Sequence, residues 1–253
     1  MTSAPYDRFA PFYDLEYGHK ENDLDFYLEL AETVGSPVLE IGVGTGRVAL
    51  DLSHNGFEVW GIDNSAEMLK SAQQKLLKQQ VEAQARIVLN KADMRNFELK
   101  QSFPLCIIPF RGFLHNLCMA DQLTTLECIR RHLTPNGILA LDLFVPLYQI
   151  MSQSTWRDRI EPHELADEQS GITIDVLVQH EPEHQLLNIT NTYNDNYSQT
   201  QANLTYRYIF RYEMEALLRY AGFTNIEVYG GFEKQAYDYH SGIMVFVAQS
   251  IKK

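Results

Sequence analysis

The chain has 253 residues and a formal net charge of −12, from 21 Lys and Arg against 33 Asp and Glu. That length suits one α/β domain with an accessory piece, and the acidic balance without a dense basic tract argues against nucleic acid as a partner. No stretch has signal-peptide or membrane-spanning character, so a cytoplasmic protein without a membrane partner is expected.

In chain order, Tyr6 to Tyr17 is an aromatic-rich segment ahead of the first strand. Asp23 stands where it would cap a helix through Leu24, Phe26, Tyr27, Leu28, Leu30 and Ala31. Then comes Val38-Leu39-Glu40-Ile41-Gly42-Val43-Gly44-Thr45-Gly46-Arg47, an apolar run ending in three glycines on alternate positions. It predicts a buried strand, a tight turn and a helix start at which free backbone N–H groups favour an anionic group, hence a nucleotide-like ligand. Dinucleotide enzymes usually show G-x-G-x-x-G, and here the third glycine comes one residue early.

The next run, Glu58 to Ile62, ends at Asp63, about where an acid reaches a ribose in nucleotide-binding βαβ units. Asn64 or Ser65 then caps a helix whose stripe of Met68, Leu69, Ala72, Leu76 and Leu77 reads as core, with Lys70, Lys75 and Lys78 on a solvated face. A third run, Arg86 to Ala92, ends at Asp93-Met94, again an acid at a strand's carboxyl end.

The ordered set E-x-G-x-G-x-G, an acid closing the second strand and A-D-M after the third resembles the class I S-adenosylmethionine-dependent methyltransferases over most of the chain. The resemblance implies an α/β fold: a three-layer Rossmann-like methyltransferase sheet with an antiparallel last strand, plus an inserted antiparallel β accessory sheet. It implies that Gly42, Gly44 and Gly46 lie against the methionine part of the cofactor, that Glu40 helps hold its ammonium and that Asp63 takes the ribose. Asn64 and Met68 would flank the adenine, and Asp93 with the Met94 backbone would read its exocyclic amine and ring nitrogen. The amino-terminal aromatics would fold over the cofactor, with Tyr13 the chosen contact among Tyr6, Tyr13 and Tyr17, or would staple a terminal helix to the core.

The fourth strand, Phe103 to Ile108, runs into Pro109-Phe110-Arg111-Gly112-Phe113-Leu114-His115, where the family places the methyl group; Pro109 is counted with the cofactor site. Ile108-Pro109-Phe110-Arg111 has the second-position proline of the N/D-P-P-Y/F tetrads of nucleic-acid and protein amino-group methyltransferases but not their leading acid or amide. Phe110 and Phe113 are candidates for a dry acceptor slot or for attracting the cationic sulfonium by their π faces, Arg111 for an acceptor carboxylate or phosphate, and His115 for a base. The alternatives are an ordinary ion pair for Arg111 and a backbone-satisfied helix position for His115. Cys106, Cys118 and Cys128 lack C-x-x-C spacing, so they are expected as small residues packed inside a reduced protein, and no metal is assigned.

A helix from Asp121 to Leu133 stops at Thr134-Pro135-Asn136-Gly137 before a strand from Ile138 to Phe144, in which Asp142 is expected to make a structural hydrogen bond. Strand-like runs follow at 155–160, 172–180, 186–197 and 203–210, and their turn-like breaks suggest hairpins. In the family such strands roof the acceptor, which makes Tyr193, Tyr197, Tyr206, Arg207 and Tyr208 candidates for the pocket, a dimer partner or a solvent face. A helix from Arg211, a stop at Ala221-Gly222-Phe223 and two strands joined without a helix close the chain, with Phe232, Tyr237, Tyr239 and His240 in the connecting loop.

The expected division is therefore a single methyltransferase domain with a cap segment at 1–35, a cofactor-binding core at 36–145, inserted strands at 146–210, and a closing helix and hairpin at 211–253. The expected activity is methyl transfer from S-adenosyl-L-methionine, leaving S-adenosyl-L-homocysteine, to a small-molecule acceptor, nitrogen preferred over oxygen, in a monomer or homodimer. The alternatives are a protein or nucleic-acid methyltransferase and a non-catalytic S-adenosylmethionine-binding regulator.

Overall fold

A computed structural model describes residues 5–195 and 197–251. The apolar run before the glycines forms β1 (Val38–Ile41), buried throughout. After α1 (Ala10–Tyr17) and α2 (Leu24–Val34), the chain alternates β1, α3 (Arg47–His54), β2 (Val59–Asp63), α4 (Ala66–Leu76), a short α5 (Val81–Gln84), β3 (Ile87–Lys91) and β4 (Phe103–Ile108). Then follow α6 (Met119–His132) and β5 (Leu133–Phe144). After an excursion, α8 (Arg211–Tyr220), β10 (Phe223–Tyr229) and β11 (Ile243–Ser250) complete a seven-strand sheet in the order β10-β11-β5-β4-β1-β2-β3. β11 pairs antiparallel with both neighbours, whereas β3, β2, β1, β4 and β5 run parallel.

Because successive side chains point to opposite faces, each parallel strand feeds two cores, and helices must cover both. Val38, Val59, Leu105 and Ile107 pack with Phe26, Tyr27 and Ala31 of α2 and Val48 and Leu52 of α3. Leu39, Ile41, Cys106, Ile108 and Leu141 pack with Leu126 and Ile129 of α6 and Met214 and Leu218 of α8. All five parallel strands thus end along one edge, where the glycine crossover, Asp63, Asp93 and Pro109 are gathered.

The excursion after β5 holds α7 (Tyr148–Met151) and a four-strand antiparallel sheet, β6 (Thr155–Ile160), β7 (Thr173–Glu181), β8 (Leu186–Asn194) and β9 (Gln199–Arg207). Its apolar face, including Ile174, Tyr193, Ala202 and Leu204, packs on Phe9, Ala10 and Met68. Phe12 stacks on Tyr193 with centroids 3.9 Å apart. The amino-terminal segment is thus held between the accessory sheet and α4.

Several expectations are corrected. Asp23 precedes α2 but makes no side-chain cap; its carboxylate instead forms a fork with Arg47, at 2.5 and 2.6 Å. Lys75 leaves the solvated face and donates to Asp14 and Thr45. Cys106 and Cys128 are buried but Cys118 is exposed just ahead of α6. The Pro135-Asn136-Gly137 turn lies inside β5, because Leu133 already pairs with Phe103 before the register shifts and resumes at Ile138. β8 ends three residues before the expected Tyr197, and β9 starts at Gln199, ahead of the expected Asn203.

Asp142 does make the structural hydrogen bond: it accepts from the Tyr27 hydroxyl at 3.0 Å and the Phe110 N–H at 2.6 Å. Gly61 on β2 lies so close to the crossover that a Cβ there would meet Val43 Cγ2 at 2.7 Å. Gly61→Ala should therefore destabilise the protein by about 1–3 kcal/mol, read as a fall in the denaturation midpoint.

Candidate functional site

A cavity of about 410 Å³ opens at the carboxyl edge of the main sheet. Its wall combines the crossover, the ends of β2 to β4, the amino-terminal segment and β9. Of the expected residues, Tyr13, Glu40, Gly42, Gly44, Asp63, Asn64, Met68, Asp93, Met94, Pro109 and His115 line it, together with Tyr6 and Phe110. Gly46 does not: it caps α3 in the left-handed region at φ 85° and faces Ala72 of α4. Arg111 does not line it either; its guanidinium lies over the rings of Phe110 and Phe144, 5.7 Å from each centroid. Phe113 is wholly buried in the core, and Tyr17 packs against Phe110 with centroids 4.8 Å apart.

The accessory-sheet candidates also fall elsewhere. Tyr193 is buried against Glu16, Tyr197 is exposed, Tyr208 bonds His180, and Arg207 pairs with Glu213. Tyr206 sits behind the wall, its ring 4.8 Å from that of His115. Asn203 and Thr205 line the cavity instead. In the closing loop, Phe232 packs on Phe26 and Tyr27, and Tyr237 under Arg211.

Glu40 is the most unusual group of the wall. It is 2% exposed, and its Oε2 has no partner. Burial pushes its carboxyl up to about 8, with Asp23 and Asp63 adding to the rise against the opposing Arg47 and the Ala49 N–H. Burial thus holds the carboxyl uncharged, and a cation arriving at Oε2 would favour its ionised form and supply the missing partner.

Asp63 is held by the backbone. Its Oδ2 accepts from Gly44 N–H at 2.9 Å and its Oδ1 from Ser65 N–H at 2.8 Å, so each oxygen keeps a further lone pair. Burial raises its pKa, and the surrounding N–H donors oppose the rise. The Asp93 carboxylate is gripped by Arg95, and this holds its pKa below the usual range. Ser65 caps α4 by accepting the Met68 N–H, which sets Met68 into the wall.

Two carboxylates of the amino-terminal segment clip it over this edge. Asp7 accepts from Ser65 at 2.7 Å, and Asp14 accepts from Thr45 at 2.7 Å and Lys75 at 2.6 Å. Tyr6 and Tyr13 are thereby carried into the cavity. At the opposite end, His115 bonds the Tyr6 hydroxyl at 2.8 Å, and burial lowers its pKa to about 4. It stays neutral at physiological pH and is a weak base. Arg47, Thr45, Arg95, Asn116, Asp121, Asn203 and Thr205 are polar wall residues that sequence reasoning missed; of these Arg47 had a signal, as the first residue after the glycines.

The strand order, with β11 entering the parallel sheet reversed, and the acid-bearing glycine crossover are those of a class I, Rossmann-like methyltransferase. Residues 38–137 match the family model described as a methyltransferase domain, and the chain shares the fold of that class. Among curated proteins it is similar to a putative methyltransferase, YqeM, of Bacillus subtilis, 30% identical over 62% of this chain and 63% of that protein, so the match spans less than two thirds of that relative's length. Among solved structures it resembles the CcbJ methyltransferase of Streptomyces caelestis, with a TM-score of 0.87 at 21% identity, covering 99% of both chains. It also resembles CalS10, an amino pentose methyltransferase of Micromonospora echinaspora solved with S-adenosylmethionine bound, with a TM-score of 0.68 at 18% identity over 98% of each chain.

Proposed function

We propose that this chain binds S-adenosylmethionine and transfers its methyl group to a nitrogen of a small-molecule acceptor, leaving S-adenosylhomocysteine. The observation that carries this reading is the unpartnered, buried Glu40 Oε2 in the same wall as Asp63: a cationic group and a diol are what these two carboxyls lack. A nitrogen acceptor is supported by the likeness to CalS10, an amino pentose methyltransferase.

The cofactor supplies an electrophilic methyl group on a cationic sulfur. Glu40 takes the ammonium, Gly42 and Gly44 let the backbone approach the methionine part, and the spare lone pairs of Asp63 take the ribose hydroxyls. Asn64 and Met68 flank the adenine, and Asp93 with the Met94 backbone reads its edge. Pro109 and Phe110 border the reacting centre. The clipped amino-terminal segment excludes water, and the strands of 146–210 roof the acceptor end through Asn203 and Thr205. Holding two reactants in line is worth about 7–11 kcal/mol, so no strong base is required when the amine arrives neutral. His115 therefore acts in positioning rather than as the base its residue type suggests, and Arg111 lies off the cavity wall.

The test is transfer of label from methyl-labelled S-adenosylmethionine to a panel of amino sugars, amines, amino acids, carboxylates and phenols. Label on an amine is the expected result. Label on a carboxylate, phenol or macromolecule, or none with cofactor bound, overturns the reading.

A further inference from the structure

Ile108 is the last residue of β4 to pair with β5, opposite Leu141, and the chain then turns through Pro109-Phe110-Arg111-Gly112. Gly112 N–H donates to the Pro109 carbonyl at 3.2 Å, and both central residues are left-handed, Phe110 at φ 55° and Arg111 at φ 66°. Turns of this kind are normally built from Gly, Asn or Asp, because a longer side chain in that region crowds the following carbonyl. Phe and Arg stay there only where the surroundings over-determine the backbone, and such strain gathers at functional sites. Pro109, Phe110 and Gly112 all line the cavity.

Asp142 is what holds the turn. It follows Leu141 on β5, is 5% exposed, and its Oδ1 accepts Phe110 N–H at 2.6 Å. Pro109 has no N–H, so this is the first backbone donor after Ile108. Burial pushes the Asp142 carboxyl up to about 6 and Asp23 adds to the rise, against the Tyr27 hydroxyl and the Arg111 charge. At pH 7 the group is therefore ionised and its bond to Phe110 is charge-assisted. The second bond to Oδ1, from the Tyr27 hydroxyl at 3.0 Å, comes from a buried residue of α2. Neither Asp142 nor Tyr27 is among the residues that line the cavity.

We propose that Asp142 is a positioning residue for methyl transfer: by accepting Phe110 N–H it keeps the Pro109 to Gly112 turn left-handed, and that turn fixes the wall beside the transferred methyl group. This rests on the methyl-transfer reading given above, in which Pro109 and Phe110 border the reacting centre. Without the carboxylate the turn relaxes, the Phe110 ring leaves Tyr17, whose centroid is 4.8 Å away, and the methyl end of the cavity loses its shape. Glu40, Asp63 and Asp93 stand on or just after β1, β2 and β3, so the rest of the cofactor keeps its contacts. In-line transfer is sensitive to small displacements at the reacting atoms, which makes the loss larger in turnover than in binding.

Calorimetric titration with S-adenosylmethionine and with S-adenosylhomocysteine tests this without an acceptor, since the two ligands differ only at the methyl-bearing sulfur. Asp142→Leu should weaken S-adenosylmethionine about tenfold and S-adenosylhomocysteine less than about threefold. Asp142→Asn keeps an Oδ1 acceptor and should bind both within about threefold of wild type. Tyr27→Phe removes the other bond to Oδ1 and should lower the denaturation midpoint while leaving the ratio of the two affinities unchanged. Adding Arg111→Gly to Asp142→Leu frees one left-handed position and should recover part of the lost S-adenosylmethionine affinity. Where label reaches a panel amine, Asp142→Leu should lower kcat about 30-fold with KM for the amine within about threefold, and Asp142→Asn should recover most of kcat. Should Asp142→Leu fail to fold, the Phe110 amide proton decides: it should lie far downfield and exchange slowly in wild type, and move upfield in Asp142→Asn. Equal losses of both ligands, no loss of either, or an amide proton that is unshifted and exchanges fast overturns the proposal. A wild-type protein that binds neither ligand would instead overturn the cofactor reading.

Discussion

Asp63→Asn should weaken S-adenosylmethionine binding by about 2–4 kcal/mol, roughly 30-fold to several hundred-fold, because the ribose hydroxyls lose a charged acceptor and one of its two oxygens. The native carboxylate accepts Gly44 N–H and Ser65 N–H on separate oxygens, so an amide cannot serve both. One of these N–H groups is left without an acceptor, and the ligand-free variant should lose about 1–3 kcal/mol of stability as well. Calorimetric titration and denaturant unfolding of the same preparations separate the two effects. Unchanged affinity would remove Asp63 from the cofactor site.

Glu40 links binding to pH. Its carboxyl titrates near 8 in the folded, ligand-free protein against 4.5 for an unperturbed glutamate. A folded pKa raised above the unfolded value means the folded state holds an extra proton between the two. For this group stability is therefore greatest below about 4.5 and is lost as pH rises toward 8. A bound ammonium favours the carboxylate and expels that proton. Affinity should rise by up to about tenfold per pH unit between 6 and 7.5, and level off near 8 as Glu40 is already ionised and the ligand's own α-amino group, with a pKa of about 7.7–8.0, begins to deprotonate. At pH 7 titrations in phosphate and Tris should differ in apparent enthalpy by nearly one proton's ionisation heat. Glu40→Gln should abolish both the pH slope and the buffer dependence and bind weakly at every pH. A wild-type affinity flat with pH would mean that no cation meets Glu40.

The features legible in the sequence are those written in local order. An apolar run, alternate glycines and a helical stripe occupy consecutive residues, so β1, α3, β2 and α4, with Glu40, Asp63 and Met68 in place, follow from periodicity and turn chemistry. The parallel sheet then brings the strand ends to one edge whatever the intervening loops do. Arg111 was not legible because Phe110 and Arg111 both turn through the left-handed region, at φ 55° and 66°, which swings the guanidinium over Phe144. Thr205 and Asn203 carry no signal of their own. They reach the cavity only because the apolar face of the accessory sheet docks on Phe9 and Met68, a contact between segments far apart in the chain. Asp23 and Lys75 show the same effect: a helix-capping acid and a solvated lysine by local rules, each was claimed by a partner from another element, Arg47 and Asp14.

The most direct measurement is a crystal structure of the complex with S-adenosylhomocysteine. The predicted result is the ligand in the 410 Å³ cavity with its amino group on Glu40 Oε2 and both ribose hydroxyls on Asp63. A ligand bound elsewhere, or bound there with Glu40 Oε2 still unpartnered, would contradict the assignment.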